Sequence, residues 1–481
     1  MQKKFVSNLI LIVLLNLLVK PLAIFGIDAE VQNEVGAEQF GIYFSLLNFS
    51  FLFNILLDFG INNFTTKNVA QHPKIASKYF GKILTARLVL FVIYVVVSLS
   101  IGLVLKWNGY ELYLLLLLLT NQFFIALIAY ARSHFGGLML FKTEAVISVL
   151  DKILLIIICG YYLYFPQSNH PKFEIETFIW IQLVCYFITL VVSFIVLFSK
   201  IGKPVIRHNK AFTYSIIRKS FPYALLILLM MIYTRIDSVM VERIHVNGKA
   251  EAGYYAQGFR LLNALFMFAM IFSNLLFPIF SKMFKQKENV IPMLAMSSKL
   301  LIGGALLIAL ISFFNSEFIL SIIYKNDIFI SAQSFKYIML SFVGMCATLI
   351  FGTLLTARGD LKFLNITSAI GILINIIINL ILIPKYGAVG ASIATVITQT
   401  LVSIVQINHC FNTLSIRLSM KQSFLFTSYV ILLIVVLYYF PIDSVSMLLL
   451  SILSGLILMF VFQLIQLKVL KQLFLPIKKI K

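Results

Sequence analysis

The chain has 481 residues, of which 61% are hydrophobic and only 12% charged, and its net charge is +21. A soluble domain is about one-quarter charged, so this composition excludes a soluble enzyme or binding module. The positive excess is not a nucleic-acid surface either, because no soluble basic domain or aromatic–basic RNA motif accompanies it; it fits Lys and Arg gathered on one side of a membrane.

Apolar runs of about 20 residues are long enough to cross a bilayer. They predict an all-α polytopic membrane protein with about fourteen spans, at 5–27, 40–63, 83–105, 110–132, 145–166, 176–199, 220–242, 253–281, 293–315, 333–357, 362–384, 388–411, 422–441 and 444–468. The first is read as a retained span, since it is longer than a signal-peptide core and lacks a clean small-residue cleavage site. Connections are short throughout, with no sizeable extramembrane domain. With the N terminus cytoplasmic, most Lys and Arg fall in the tails and inner connections, Arg87 and Arg132 counted among them. The outer connections hold only Lys106, Lys172, Arg243, Lys249, Lys325 and Lys385. This bias places both termini inside. Cys159, Cys185, Cys346 and Cys410 lie in or near apolar runs at no metal-ligand spacing, so they read as small core residues.

The second half of the chain repeats the first. Glu38-x-x-Gly41-x-Tyr43 returns as Glu251-x-Gly253-Tyr254-Tyr255, and Leu46-Leu47-Asn48 as Leu261-Leu262-Asn263. Ala131-Arg132 returns as Ala357-Arg358. Each half has an even number of spans, so the halves are expected to be related by an axis along the membrane normal. The expected division is an N-lobe at 1–203, a C-lobe at 204–412 and a C-terminal helix pair at 413–481.

Polar residues inside the spans fall in stripes. Asn8, Asn16 and Lys20 share one helical face of the first span. Ser50, Asn54, Asp58 and Asn62 recur every four residues in the second. Asn375 and Asn379 lie one turn apart in the eleventh, before Pro384, and Thr395, Gln399, Ser403 and Gln406 line the twelfth. Lipid satisfies none of these groups. The stripes therefore face a wet cavity, the reading preferred for Asn16 and Asn54, or hold helices together, the reading preferred for Asn375 and Asn379.

Charges stand out more sharply. Lys20 and Arg235 occupy equivalent places in the two halves, and Arg260 lies about two turns into the eighth span. Three cations near one depth, on spans that the repeat brings together, make an anion site; the competing reading is snorkelling to the outer headgroups. Asp237 lies two residues from Arg235, so the two point to different faces. It is expected either to pair with Arg260 or to serve gating and ion coupling. Asp58 and Asp151 are the other candidates for proton or Na⁺ coupling, against an interfacial carboxylate for Asp58 and local charge balance with Lys152 for Asp151. No catalytic motif is found, and the six His residues do not cluster. The chain is read as a non-enzyme with no metal site and no cofactor.

Several segments resemble the polysaccharide-flippase branch of the MOP exporter superfamily. They are 36–71; Asp237 with Gly253-Tyr254-Tyr255, Arg260 and Pro278; and the run from Leu355-Thr-Ala-Arg-Gly-Asp360 through Asn375, Asn379 and Pro384-Lys-Tyr-Gly387 to Gly390-Ala-Ser-Ile-Ala394. The resemblance covers essentially the whole chain. It implies a V-shaped pair of six-helix lobes around a central cavity, working by alternating access, with lateral gates at the first, second, seventh and eighth spans. Lys20, Arg235 and Arg260 then sit where such flippases carry cavity cations, suited to an undecaprenyl-pyrophosphate headgroup. The implied setting is a bacterial inner membrane, as a monomer, with polysaccharide polymerase and chain-length proteins as partners. A cation-coupled drug exporter and a lipid II flippase of the same superfamily remain the alternatives. A membrane polymerase or ligase is disfavoured by the lack of a large outer loop.

Overall fold

The computed structural model describes residues 15–16, 18–59, 61–62, 65–66, 69, 76–165, 173–202, 210–416, 420–440 and 442–464. Among them every regular element is helical. In chain order these are α1 (Leu22–Asp28, a π-helix), α2 (Ala29–Leu52), α3 (Ile55–Asp58), α4 (Ala76–Val104), α5 (Gly109–Gly137), α6 (Phe141–Tyr164), α7 (Ile175–Ile201) and α8 (Lys210–Ile244). They continue with α9 (Gly248–Gln286), α10 (Ile291–Phe314), α11 (Ser316–Ser321), α12 (Ile328–Ile338), α13 (Ser341–Arg358), α14 (Leu361–Leu414), α15 (Met420–Tyr439) and α16 (Val445–Val461). Nine helical stretches among the described residues are long and apolar enough to cross a membrane. Their polarity is inverted relative to a soluble helix. In α4, Leu88, Val89, Val92, Ile93 and Val96 are exposed while Arg87, Tyr94 and Ser98 are buried, the arrangement expected when lipid is the solvent.

The spans break where the backbone leaves helical geometry. Gly36, at φ 81°, interrupts α2, and Gly387, at φ 51°, interrupts α14. At 54 residues α14 is about 80 Å of helix, far longer than a bilayer is thick. An added Cβ at Gly390 would lie 2.6 Å from the carbonyl oxygen of Leu382, so the chain folds back at Gly387 and α14 supplies two spans. That agrees with the expected 362–384 and 388–411. The first two spans meet differently from the expectation. Residues 28–35, polar enough to read as a connection, stay helical up to Gly36, because Gln32 donates to the carbonyl of Gly253 (2.8 Å) and Asn33 to Glu30 (2.9 Å). The second span is jointed: α2 ends at Leu52, α3 covers one turn, and Phe59 adopts φ 43°.

The chain divides into two units, Met1–Gly253 and Tyr254–Lys481. In the first, α2 packs along α8 and α5 along α7. Because α8 packs on α2, this boundary by packing lies beyond residue 203, where the sequence repeat restarts. Gly41 and Gly253, equivalent in the repeat, touch there: an added Cβ on Gly41 would lie 2.7 Å from the Gly253 nitrogen, and one on Gly253 2.7 Å from the Ala37 carbonyl carbon. In the second unit α13 packs against α14. The C-terminal pair α15 and α16 docks on α10 through Leu307, Leu310, Tyr429, Leu433 and Met459, and Tyr429 reaches the carbonyl of Gly303 at 3.3 Å.

The close crossing predicts that Gly41→Ala and Gly253→Ala each destabilise by about 1–3 kcal/mol through overpacking, read as a lower melting temperature in detergent. Gly304→Ala, whose Cβ would meet nothing within 4 Å, is expected to leave it unchanged or raised.

Candidate functional site

Charged side chains inside the first unit form three groups. The first surrounds Lys20, half-buried beyond the π-helical turn of α1 and within electrostatic reach of Arg132, Asp151 and Lys152. Arg132 pairs with Glu144 at 3.4 Å and Lys152 with Asp151 at 3.4 Å. Lys152 also donates to the Tyr186 hydroxyl at 3.1 Å and feels Asp28 at the end of α1. Among the described residues Lys20 makes no ion pair of its own, although the Asp151 carboxylate acts on it alongside the two cations. Nearby, Asn16 donates to Ser148 at 3.0 Å, which joins the first span to α6.

The second group lies where α2 meets α8. Arg235, half-buried, donates to Asn48 Oδ1 at 3.0 Å and lies 5.0 Å from the centre of the Phe51 ring. Asp237 faces elsewhere and is 1% exposed, as its two-residue offset requires. Asn54, at the joint after α2, donates to Gln122 Oε1 at 3.2 Å. Asp58 does not stand as an open carboxylate: Arg87 Nη2 lies 2.7 Å from its Oδ1. Arg87 itself, expected in an inner connection, is 1% exposed within α4.

The third group closes the end that bears the connections at 105–108 and 245–247. Glu111 caps α5 through Asn108 and accepts from Arg243 (3.0 Å) and Lys249 (3.1 Å). Arg243 also pairs with its neighbour Glu242, which accepts from Trp107 Nε1 at 3.3 Å. The Arg243 guanidinium lies 5.2 Å from the Trp107 ring centre. Both carboxylates are buried, while the Arg243 and Lys249 side chains stay partly exposed.

In the second unit, Asn379 donates to Asn375 Oδ1 at 3.0 Å and both are fully buried. Thr395, Gln399, Ser403 and Gln406 are buried as well. An added Cβ on Gly344 would lie 2.9 Å from the Gln399 carbonyl, and one on Gly352 3.2 Å from Gln406 Oε1. These stripes face neighbouring helices. Arg260 is half-buried on α9 and belongs to this unit. Among the described residues no cluster of three or more His, Cys, Asp or Glu is placed to hold a metal ion.

Within one unit, then, the structure joins Lys20 to Arg132, Asp151 and Lys152, and Arg235 to Asn48. Sequence reasoning missed Arg87 as a buried cation and the Glu111–Arg243–Lys249 group altogether. A signal for the first existed: Arg87 lies inside an apolar run, whereas an inner-connection cation should precede it. For the second, opposite charges in two connections on the same side were the available clue.

A family profile described as "Polysaccharide biosynthesis protein" matches residues 5–284, more than half of the chain. The chain belongs to this family. It is the polysaccharide-flippase branch of the MOP superfamily, and a profile described as "MatE" also matches this member, over residues 222–381. The chain is 30% identical over 199 residues to "Uncharacterized membrane protein MJ1375" of Methanocaldococcus jannaschii, and the match spans 40% of this chain and 45% of that protein. Its fold is similar to that of a structure titled "Lipid II flippase MurJ, inward closed conformation", with a TM-score of 0.73 at 16% identity, covering 94% of this chain and 98% of the other. It is also similar to an inward-facing multidrug resistance MATE family transporter of the MOP superfamily, with a TM-score of 0.63 at 14% identity, covering 82% and 94%. These likenesses establish the fold of a multi-pass membrane protein.

The buried ion group predicts a measurable coupling. In a double-mutant cycle, Glu111→Gln and Arg243→Gln are expected to be non-additive by about 1 kcal/mol or more, measured from unfolding of the purified protein in detergent.

Proposed function

We propose that this family member is a flippase that carries an anionic lipid-linked oligosaccharide, with an undecaprenyl-pyrophosphate anchor, from the cytoplasmic to the outer leaflet by alternating access. The observation that carries the reading is Lys20, a half-buried ammonium within electrostatic reach of Arg132, Lys152 and Asp151 that makes no ion pair of its own among the described residues. A charge inside a span costs a few kcal/mol or more unless it meets water, a partner or a ligand, and a transported pyrophosphate supplies that partner. Arg235 on α8 and Arg260 on α9, each half-buried, are each proposed as phosphate-binding cations, since a guanidinium binds phosphate oxygens in a bidentate fashion. The sugar enters the cavity, and the prenyl tail stays in lipid.

The drug-exporter reading requires carboxylates open to a cationic substrate. Asp58 and Asp151 are each held by a cation, at 2.7 and 3.4 Å, which favours the anionic substrate. Proton or Na⁺ coupling is assigned to Asp237, buried on a span. Release on the far side requires the Glu111–Arg243–Lys249 group to open. Polymerase and chain-length proteins are the partners proposed to receive the product in a bacterial inner membrane.

The test uses cells that lack the endogenous flippase, with an impermeant sugar-modifying reagent to report which face holds the oligosaccharide lipid. Lys20→Ala, Arg235→Ala and Arg260→Ala are expected to leave it on the cytoplasmic face at normal protein levels, and Lys20→Arg to restore delivery. Full delivery by all three alanine variants would contradict a cationic headgroup site. Failure to restore this lipid, with rescue of cells lacking a lipid II flippase instead, would move the substrate to the alternative.

A further inference from the structure

Arg87 is the largest charged side chain sealed inside the described residues, and nothing in the transport reading so far uses it. Its Nη1 donates to the carbonyls of Leu57 (3.0 Å) and Ala126 (3.3 Å). Its Nη2 donates to Asp58 Oδ1 (2.7 Å) and Asn62 Oδ1 (2.8 Å). The guanidinium lies 4.7 Å from the Tyr130 ring centre. Three of these partners, Leu57, Asp58 and Asn62, belong to the jointed end of the second span. There α2 stops at Leu52, α3 ends at Asp58, and Phe59 turns left-handed at φ 43°. A helix that ends inside a membrane leaves carbonyls without intrahelical partners, and lipid supplies none. Arg87 satisfies one of them, the carbonyl of Leu57.

The surface that receives this end is a single face of α5. Gln122 accepts from Asn54, Ala126 shares Arg87 through its carbonyl, and Tyr130 covers the guanidinium. These residues are four apart and lie one above another on the helix. His134 continues the row, with its Nδ1 3.0 Å from the Tyr130 carbonyl. The joint is thus held at both ends against α5, by Asn54 at its start and by Arg87 at its close.

We propose that Arg87 is a positioning residue for the cationic site: it fixes the jointed end of the second span on α4 and α5, and so fixes the register of α2, whose Asn48 and Phe51 hold Arg235. A tether that served stability alone has no need of a buried charge, since well-packed apolar groups do as well or better than a buried ion pair. The planar fork of arginine is what lets one side chain serve two carbonyls, a carboxylate and an amide at once. Lysine cannot do this.

The consequence for Arg235 rests on the flippase reading; the fixing of the joint does not, and the experiment separates them. The full-length protein is placed in lipid nanodiscs, and amide hydrogen exchange is followed for wild type, Arg87→Lys and Arg87→Met, beside oligosaccharide-lipid delivery in cells. Exchange over residues 53–62 is expected to quicken roughly tenfold or more in both variants, as for a locally released segment. Residues 254–464 should be unchanged, and delivery should be lost at normal protein levels. Faster exchange spread evenly over both units would mark a merely structural residue and overturn the proposal, as would unchanged exchange at 53–62. If Arg87→Met does not fold, Arg87→Lys, which keeps the charge beside Asp58 but loses the fork, decides by the same criteria. Local loosening with delivery intact would overturn the link to the transport site. If the wild-type chain delivers no oligosaccharide lipid, the flippase reading fails, and the exchange data still decide whether Arg87 fixes the joint.

Discussion

A bilayer interior offers no hydrogen-bond partners, so each polar or charged group in a span must find one in the protein or do without. The architecture of this chain follows from how that demand is met. Most groups find local partners: Asn54 takes Gln122, Asp58 takes Arg87, Asp151 takes Lys152, and Arg235 takes Asn48. All but the Asp151–Lys152 pair join different helices, which have no hydrophobic force to hold them because lipid is as apolar as their outer faces. Lys20 stands apart because its neighbours include two further cations.

The same demand explains the joints. Breaking a helix inside a membrane exposes backbone groups, and the breaks here are covered. The carbonyl of Leu57 is taken by Arg87, and just before the break at Gly36, Gln32 binds the Gly253 carbonyl of α9. Where side chains do not intervene, glycine lets backbone meet backbone, as at Gly41 and Gly253. Charge then closes the end of the first unit at Glu111, Glu242, Arg243 and Lys249, where two buried carboxylates and two cations balance.

Much of the fold was legible in the sequence, because the span signal is a sum over about 20 residues and tolerates errors in any one of them. The turn between the eleventh and twelfth spans was readable from Pro384 and Gly387. The repeat was readable too, and it marked Gly41 and Gly253, although their contact was not foreseen. Joints were harder. Nothing in the residues around Phe53 and Asn54 announces a break, since tertiary partners on α5 create it. Residues 28–35 look like a connection because they are polar, yet remain helical because Gln32 and Asn33 are satisfied. Arg87 was misplaced by counting charges, a method that assumes a cation near the end of a span faces water; a buried partner such as Asp58 removes that assumption. Of the candidate site, the residue types were legible and their neighbours were not: Lys20 carried its signal in sequence, whereas the Arg132 and Lys152 charges beside it come from other spans.

The most direct measurement of the central claim uses purified protein in liposomes that contain an undecaprenyl-pyrophosphate oligosaccharide with a labelled sugar. An impermeant reagent added outside modifies only the outer-leaflet pool. The account predicts that wild-type protein makes nearly all of the labelled lipid accessible, against about half in protein-free liposomes, and that Lys20→Ala returns the fraction to the protein-free level. Equal accessibility with and without wild-type protein, whether or not a proton or Na⁺ gradient is imposed across the liposome membrane, would contradict it.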